Sequence, residues 1–137
     1  MLKTVADNPN CQVLRTYRQH GNISTYEHCL SVAKESYNLA RLLRLKVNSR
    51  ALIRGAFLHD YYLYDWHHSP CRLHGFRHPR IAMNNALRDF KISSLEAGII
   101  RSHMWPLTLS AFPNSKEALL VCIADKICAL KETLHLC

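Results

Sequence analysis

Two short signals constrain the fold more than any average does. Ser24 stands three residues ahead of Glu27 in "STYE", and Ser93 three ahead of Glu96 in "SSLE". In such a capping box the hydroxyl accepts from the amide three residues on, and the glutamate reaches back to the serine amide. The spacing therefore marks helix starts. After Ser24, "HCLSVAKESYNLARLLRL" places Leu30, Ala33, Tyr37, Ala40 (or Arg41) and Leu43 at helical spacing. "VNS" interrupts that run, and Asn48 or Ser49 caps the next helix, "RALIRGAFLHDYYLY", apolar enough to be central. Pro79 fits the first position of a helix "PRIAMNNALRDF". Pro106 closes the helix opened at Ser93, and Asn114 caps a last one, with Glu117 three residues on. "CQVLRTYRQH" predicts a short opening helix ended by "GN", and residues 65–77 read as a loop. No stretch alternates convincingly with period two.

With 4 Gly and 5 Pro in 137 residues, a many-turned sandwich or barrel is disfavoured. Residues 1–137 are expected to form one compact all-α domain, a bundle of five to six helices. A hydrophobic content of 48% supplies its core. The formal charge of +8 comes from scattered Lys and Arg, so a basic surface attracts anions without a polybasic tail. The six cysteines, Cys11, Cys29, Cys71, Cys122, Cys128 and Cys137, include no CxxC pair, and several lie in apolar runs. Reduced, buried thiols are expected. "MLKTVADNPN" lacks a signal-peptide core and no apolar run spans a bilayer, so the expected location is cytoplasmic and no membrane partner is foreseen.

Some polar residues do not belong where they stand. His59 and Asp60 end the apolar run "AFLHDYYLYDW", and Asp125 interrupts "LLVCIADKICAL". His28 and His103 come from two further helices. Burying an isolated carboxylate is very costly, and a cation would compensate the acids while accepting neutral imidazoles. Each residue alone has a plainer explanation. A single histidine can be a satisfied core residue, Asp125 can pair with Arg54 or Arg101, and Asp60 can cap a helix end. The joint pattern has few plain explanations.

In order, His28, His59-Asp60, His78, His103 and Asp125 resemble the HD-domain metal-dependent phosphohydrolases, in their two-metal branch. The segments "YEHCLSVA", "LHDYY", "GFRHPRIA", "IIRSHMW" and "CIADKIC" carry the resemblance over roughly residues 24 to 132. It implies an all-α bundle in which one ion takes His28, His59, Asp60 and Asp125, and a second takes Asp60, His78 and His103. It also implies hydrolysis of phosphomonoesters or phosphodiesters, often of nucleotides, by a metal-activated hydroxide. The chain lacks the GYP motif of the cyclic-di-GMP branch and the Glu-Asp pair of the alarmone hydrolases.

Mixed imidazole and carboxylate donors suit two divalent transition ions, Mn, Fe or Zn, and the absence of Cys among them argues against structural zinc. Asp60 is expected to be the central catalytic carboxylate. Arg77, Arg80 and Arg101 are candidates for phosphate binding, since the arginine fork suits phosphate oxygens. Lys126, next to Asp125, is a candidate catalytic residue that neutralises the phosphate, and it belongs at the site rim or in a salt bridge. His74 is a candidate general acid or extra ligand. His67 and His68 line an entrance or are exposed, and His20 and His135 are expected at the surface. The expected partner is a small phosphorylated substrate, a nucleotide above all. Readings from other classes are a metal-stabilised module that binds a nucleotide without turnover, and a di-iron oxygenase on the same scaffold. A basic nucleic-acid binder has no recognition-helix or stacking motif to support it.

Overall fold

The computed structural model describes residues 3–64 and 74–134, without the side chains of Lys3 and His74. Helices dominate. Two four-residue turns, α1 (Lys3–Ala6) and α2 (Pro9–Gln12), lead through a 3₁₀ turn (Val13–Thr16) into a hairpin of β1 (Arg18–His20) and β2 (Ile23–Ser24). Five longer helices complete the described chain: α3 (Thr25–Leu42), α4 (Ser49–Leu58), α5 (His74–Asp89), α6 (Ser94–Ser102) and α7 (Lys116–Thr133). The expected opening helix is met over residues 11–16 by α2 and the 3₁₀ turn, while Arg18–His20 departs from it as the first strand of the hairpin. Two strands this short carry no readable alternation, and Gly21 closes them at φ 56°, a conformation open to a residue without Cβ.

The capping signals perform as read. Ser24 Oγ accepts from the Glu27 amide at 3.1 Å, and Ser93 Oγ from Glu96 at 3.1 Å, each box completed by its glutamate. Asn48, rather than Ser49, caps α4 through the Ala51 amide. Ser115, not Asn114, caps α7: its hydroxyl reaches the Ala118 amide at 3.0 Å, so the helix begins one residue later than expected. Pro79 does not start α5. It lies inside a helix that begins at His74, so residues 74–77 are helical rather than loop. At the sixth position of α5, Pro79 leaves the Gly75 carbonyl without its intrahelical donor, the one backbone bond that the ring removes.

In α3 the buried stripe runs through Tyr26, Cys29, Val32, Ala33, Ser36 and Ala40, whereas Tyr37 and Leu43 are exposed. The apolar spacing alone places the inner face about a quarter-turn away. The helix ends in a Schellman arrangement. Leu45 N–H donates to the Ala40 carbonyl and Arg44 N–H to that of Arg41, with Arg44 at φ 54°.

α4 is the central element. It packs on α3, α6 and α7, and buries Leu52, Ala56, Phe57 and Leu58. Its approach to α6 depends on Gly55, where a Cβ would meet Ile99 at 2.8 Å. Cys11, Cys29, Cys122 and Cys128 are buried free thiols. Among the described residues, no helix is long and apolar enough to cross a membrane. Because α4 is enclosed on several sides, the two residues just past its last turn, His59 and Asp60, are delivered to the middle of the bundle.

Candidate metal centre

His59 is the C-cap of α4 and Asp60 the next residue, both buried. α3 brings His28, α5 His78, the C-cap of α6 His103, and α7 Asp125, all buried at the same place. Ligand atoms of His28, His59, Asp60 and Asp125 lie within 4.8 Å of one another, and so do those of Asp60, His78 and His103.

Asp60 joins the two groups through different oxygens. Oδ2 faces His59 Nε2 at 3.3 Å and His28 Nε2 at 3.6 Å, while Oδ1 faces His78 Nε2 at 3.2 Å and His103 Nε2 at 3.3 Å. Asp125 Oδ1 lies 2.9 Å from His28 Nε2 and 3.2 Å from His59 Nε2. Donors held about 2.1 Å from an ion stand about 3.0 to 3.4 Å apart around it, so the separations fit a shared cation. Among the described residues Asp60 Oδ1 is buried and makes no well-formed hydrogen bond, although His78 Nε2 and His103 Nε2 lie close to it and press on each other at 2.9 Å. Two ring nitrogens facing each other beside an unsatisfied carboxylate oxygen suit a positive ion better than they suit each other.

The electrostatics carry the same message. Burial disfavours a charge on His28, but hydrogen bonds to Asp125 and Glu132 overcome it and push its pKa up to about 10. Burial likewise opposes a charge on His59, yet Asp60 and Asp125 raise it well above the ordinary value. Burial works against the ionised forms of Asp60 and Asp125, and the facing imidazoles hold both far below the usual carboxylate range. At His103 burial prevails over the attraction of the Asp60 carboxylate and lowers the pKa. The buried acids thus demand positive charge. Divalent ions supply it while the imidazoles stay neutral, the form in which histidine ligates.

The rings are oriented from behind. His59 Nδ1 donates to the Ala56 carbonyl at 2.6 Å and His103 Nδ1 to the Ile100 carbonyl at 2.7 Å, each fixing the tautomer that turns Nε2 inward. His28 Nδ1 instead donates to buried Glu132, at 2.8 Å and 3.0 Å to its two oxygens. Gln19, on β1, donates Nε2 to Asp60 Oδ2 at 2.9 Å, and its own carbonyl accepts from Tyr62 and Thr25.

Glu132 and Gln19 are absent from the candidates that the sequence offers. Glu132 stands seven residues after Asp125, two helical turns along the same face, a signal the sequence does contain. Gln19 has none. His20 is half-buried rather than at the surface, its ring edge on His28 with centroids 5.6 Å apart.

Arg54 pairs with Glu96 at 3.3 Å, and among the described residues the ion-pair partners of Asp125 are His28 and His59 rather than Arg54 or Arg101. Lys126 Nζ donates to the His103 carbonyl at 3.1 Å and to the Cys122 carbonyl at 3.3 Å, which ties it to the C-terminal end of α6. Arg77, Arg80 and Arg101 line a surface cleft whose lining includes no residue of the His/Asp cluster. The side chain of His74, and His67, His68 and His135, lie outside the described residues.

The family model described as HD domain matches residues 25–130, the span that holds all six clustered His and Asp residues. No curated protein and no solved structure matches the chain. With the matched span and the geometry agreeing, the chain belongs to the HD domain family, and so to the metal-dependent phosphohydrolase superfamily.

Proposed function

We propose that the chain hydrolyses a phosphomonoester or phosphodiester, that of a nucleotide above all, at a two-ion centre. His28, His59, Asp60 and Asp125 hold one ion, and Asp60, His78 and His103 the other. The observation that supports this reading is Asp60 itself, a buried carboxylate with each oxygen turned to a separate pair of imidazoles. The imidazole and carboxylate donor set favours Mn, Fe or Zn. When bound, such ions supply an activated hydroxide and a grip on the phosphate oxygens.

The chain's own residues do the rest. Asp60 sets the spacing of the two sites and offsets their charge. Gln19 keeps that carboxylate from rotating, and the Ala56 and Ile100 carbonyls and Glu132 keep three imidazoles aimed inward. Lys126, fixed on the His103 carbonyl, adds positive charge at the rim, where a phosphate would approach.

Asp60→Asn tests the assignment. Elemental analysis of the purified variant should show loss of both ions, and hydrolysis of a generic phosphoester should fall at least about a thousandfold. Unchanged turnover in the variant would rule the assigned role out. Wild-type protein that binds metal yet leaves phosphomonoesters and linear or cyclic dinucleotides intact through a long incubation would point to a binding module instead.

A further inference from the structure

Arg77 and Arg80 on α5 and Arg101 on α6 open onto one surface cleft of about 530 Å³. Their neighbours His78 and His103 turn inward to the metal centre. At about 100° per residue, Phe76 and Arg80 each stand about 200° round the helix from His78, so these two lining side chains leave α5 on the side opposite that imidazole. The lining includes none of the six clustered His and Asp residues.

Its chemistry is one-sided. The lining includes no acid, and none of the three exposed arginines has an ion-pair partner among the described residues. α5 carries no acid in its first turn either, so the positive end of its helix dipole adds to the same field. Three like charges gathered in a concavity repel one another. A single multiply charged anion relieves that repulsion. Arginine forks match phosphate oxygens in pairs.

We propose that this cleft is a second anion site, distinct from the metal centre, which takes an oligophosphate: two or three linked phosphates, free or carried by a nucleoside. Three guanidinium charges exceed what one phosphate neutralises and match a di- or triphosphate. Phe76, 53% exposed at the same cleft, offers a ring face to a base if the phosphates arrive on a nucleoside. The site does not depend on the hydrolase reading, because it uses no metal ligand.

The test is calorimetric titration of the full chain with inorganic tripolyphosphate and with a nucleoside triphosphate, in excess chelator so that no ion at the centre contributes. Tripolyphosphate should bind, its affinity should fall with salt, and Arg80→Ala/Arg101→Ala should weaken it tenfold or more. Phe76→Ala should weaken the nucleotide alone if a nucleoside is the natural carrier, and neither ligand if free oligophosphate is. On unaltered protein as purified, tripolyphosphate should protect Arg77, Arg80 and Arg101 from phenylglyoxal, mapped by mass spectrometry. Binding that appears only with metal present, an undiminished affinity in the double variant, or no protection of these arginines would overturn the site.

Discussion

His28 differs from the other ring-oriented histidines in what stands behind it. His59 and His103 lean on carbonyls three residues back in their own helices, a contact any C-cap histidine can make. At His28 the contact behind the ring is instead a carboxylate, Glu132 from the far end of α7. The negative partner makes the imidazole a stronger donor and adds a third buried carboxylate to the site. Glu132→Gln, which keeps an acceptor but drops the charge, should therefore lower metal affinity about 10–100-fold. Competition against a chromogenic chelator measures it, and a melting temperature fallen with affinity unchanged would reduce Glu132 to a packing residue. The same residue shows where reading a sequence reaches its limit. His59, Asp60 and Asp125 are legible because each interrupts an apolar run. Glu132, in "KETL", interrupts no apolar run, and only its seven-residue spacing from Asp125 on one helix marks it.

Helices bring these residues together, so their spacing must be fixed to a few tenths of an ångström. Where α4 meets α6, the contact is set by an absent side chain. A Cβ on Gly55 would sit 2.8 Å from Ile99 Cδ1 and 3.0 Å from its Cβ, so the backbone of α6 would have to retreat. Gly55→Ala gains up to about 1 kcal/mol of helix propensity but costs about 1–3 kcal/mol in overpacking. We expect a net loss of about 1 kcal/mol in urea unfolding. Adding Ile99→Ala should give a double variant less destabilised than the two single losses combined, and strict additivity would mean that the contact does not set the spacing. The elements themselves are readable where capping chemistry is local, as at Ser24 and Ser93. They are misread where a neighbour decides the outcome. Pro79 is tolerated inside α5, Ser115 outcompetes Asn114 as the cap of α7, and the inner face of α3 turns toward His28 and Ser36 rather than Tyr37.

At the scale of the molecule, one cluster of buried acids and imidazoles lies among five helices, and the bundle closes around charge as well as around apolar side chains. Ions that bind only the folded chain stabilise it by about 2.7 kcal/mol each at a hundredfold excess over Kd. For a domain of this size, chelation should lower the melting temperature by on the order of 10 °C, restored by Mn or Zn but not by Ca, whose preference for oxygen donors the site does not meet. Scanning calorimetry with and without chelator checks this, and coincident transitions would mean that the buried acids need no metal.

The amino-acid sequence by itself determined the helices with local start signals, the all-α class and five polar residues out of place, His28, His59, Asp60, His103 and Asp125, because capping and misplaced polarity are written within a few residues; His78 joined them only through the family resemblance. Only the tertiary structure decided that Asp60 turns an oxygen to each ion site, that Glu132 and Gln19 stand behind the ligands, and that three arginines share a cleft of their own. Those facts depend on which faces of α3, α5, α6 and α7 meet. Packing between residues far apart in the chain sets that, and no local pattern records it.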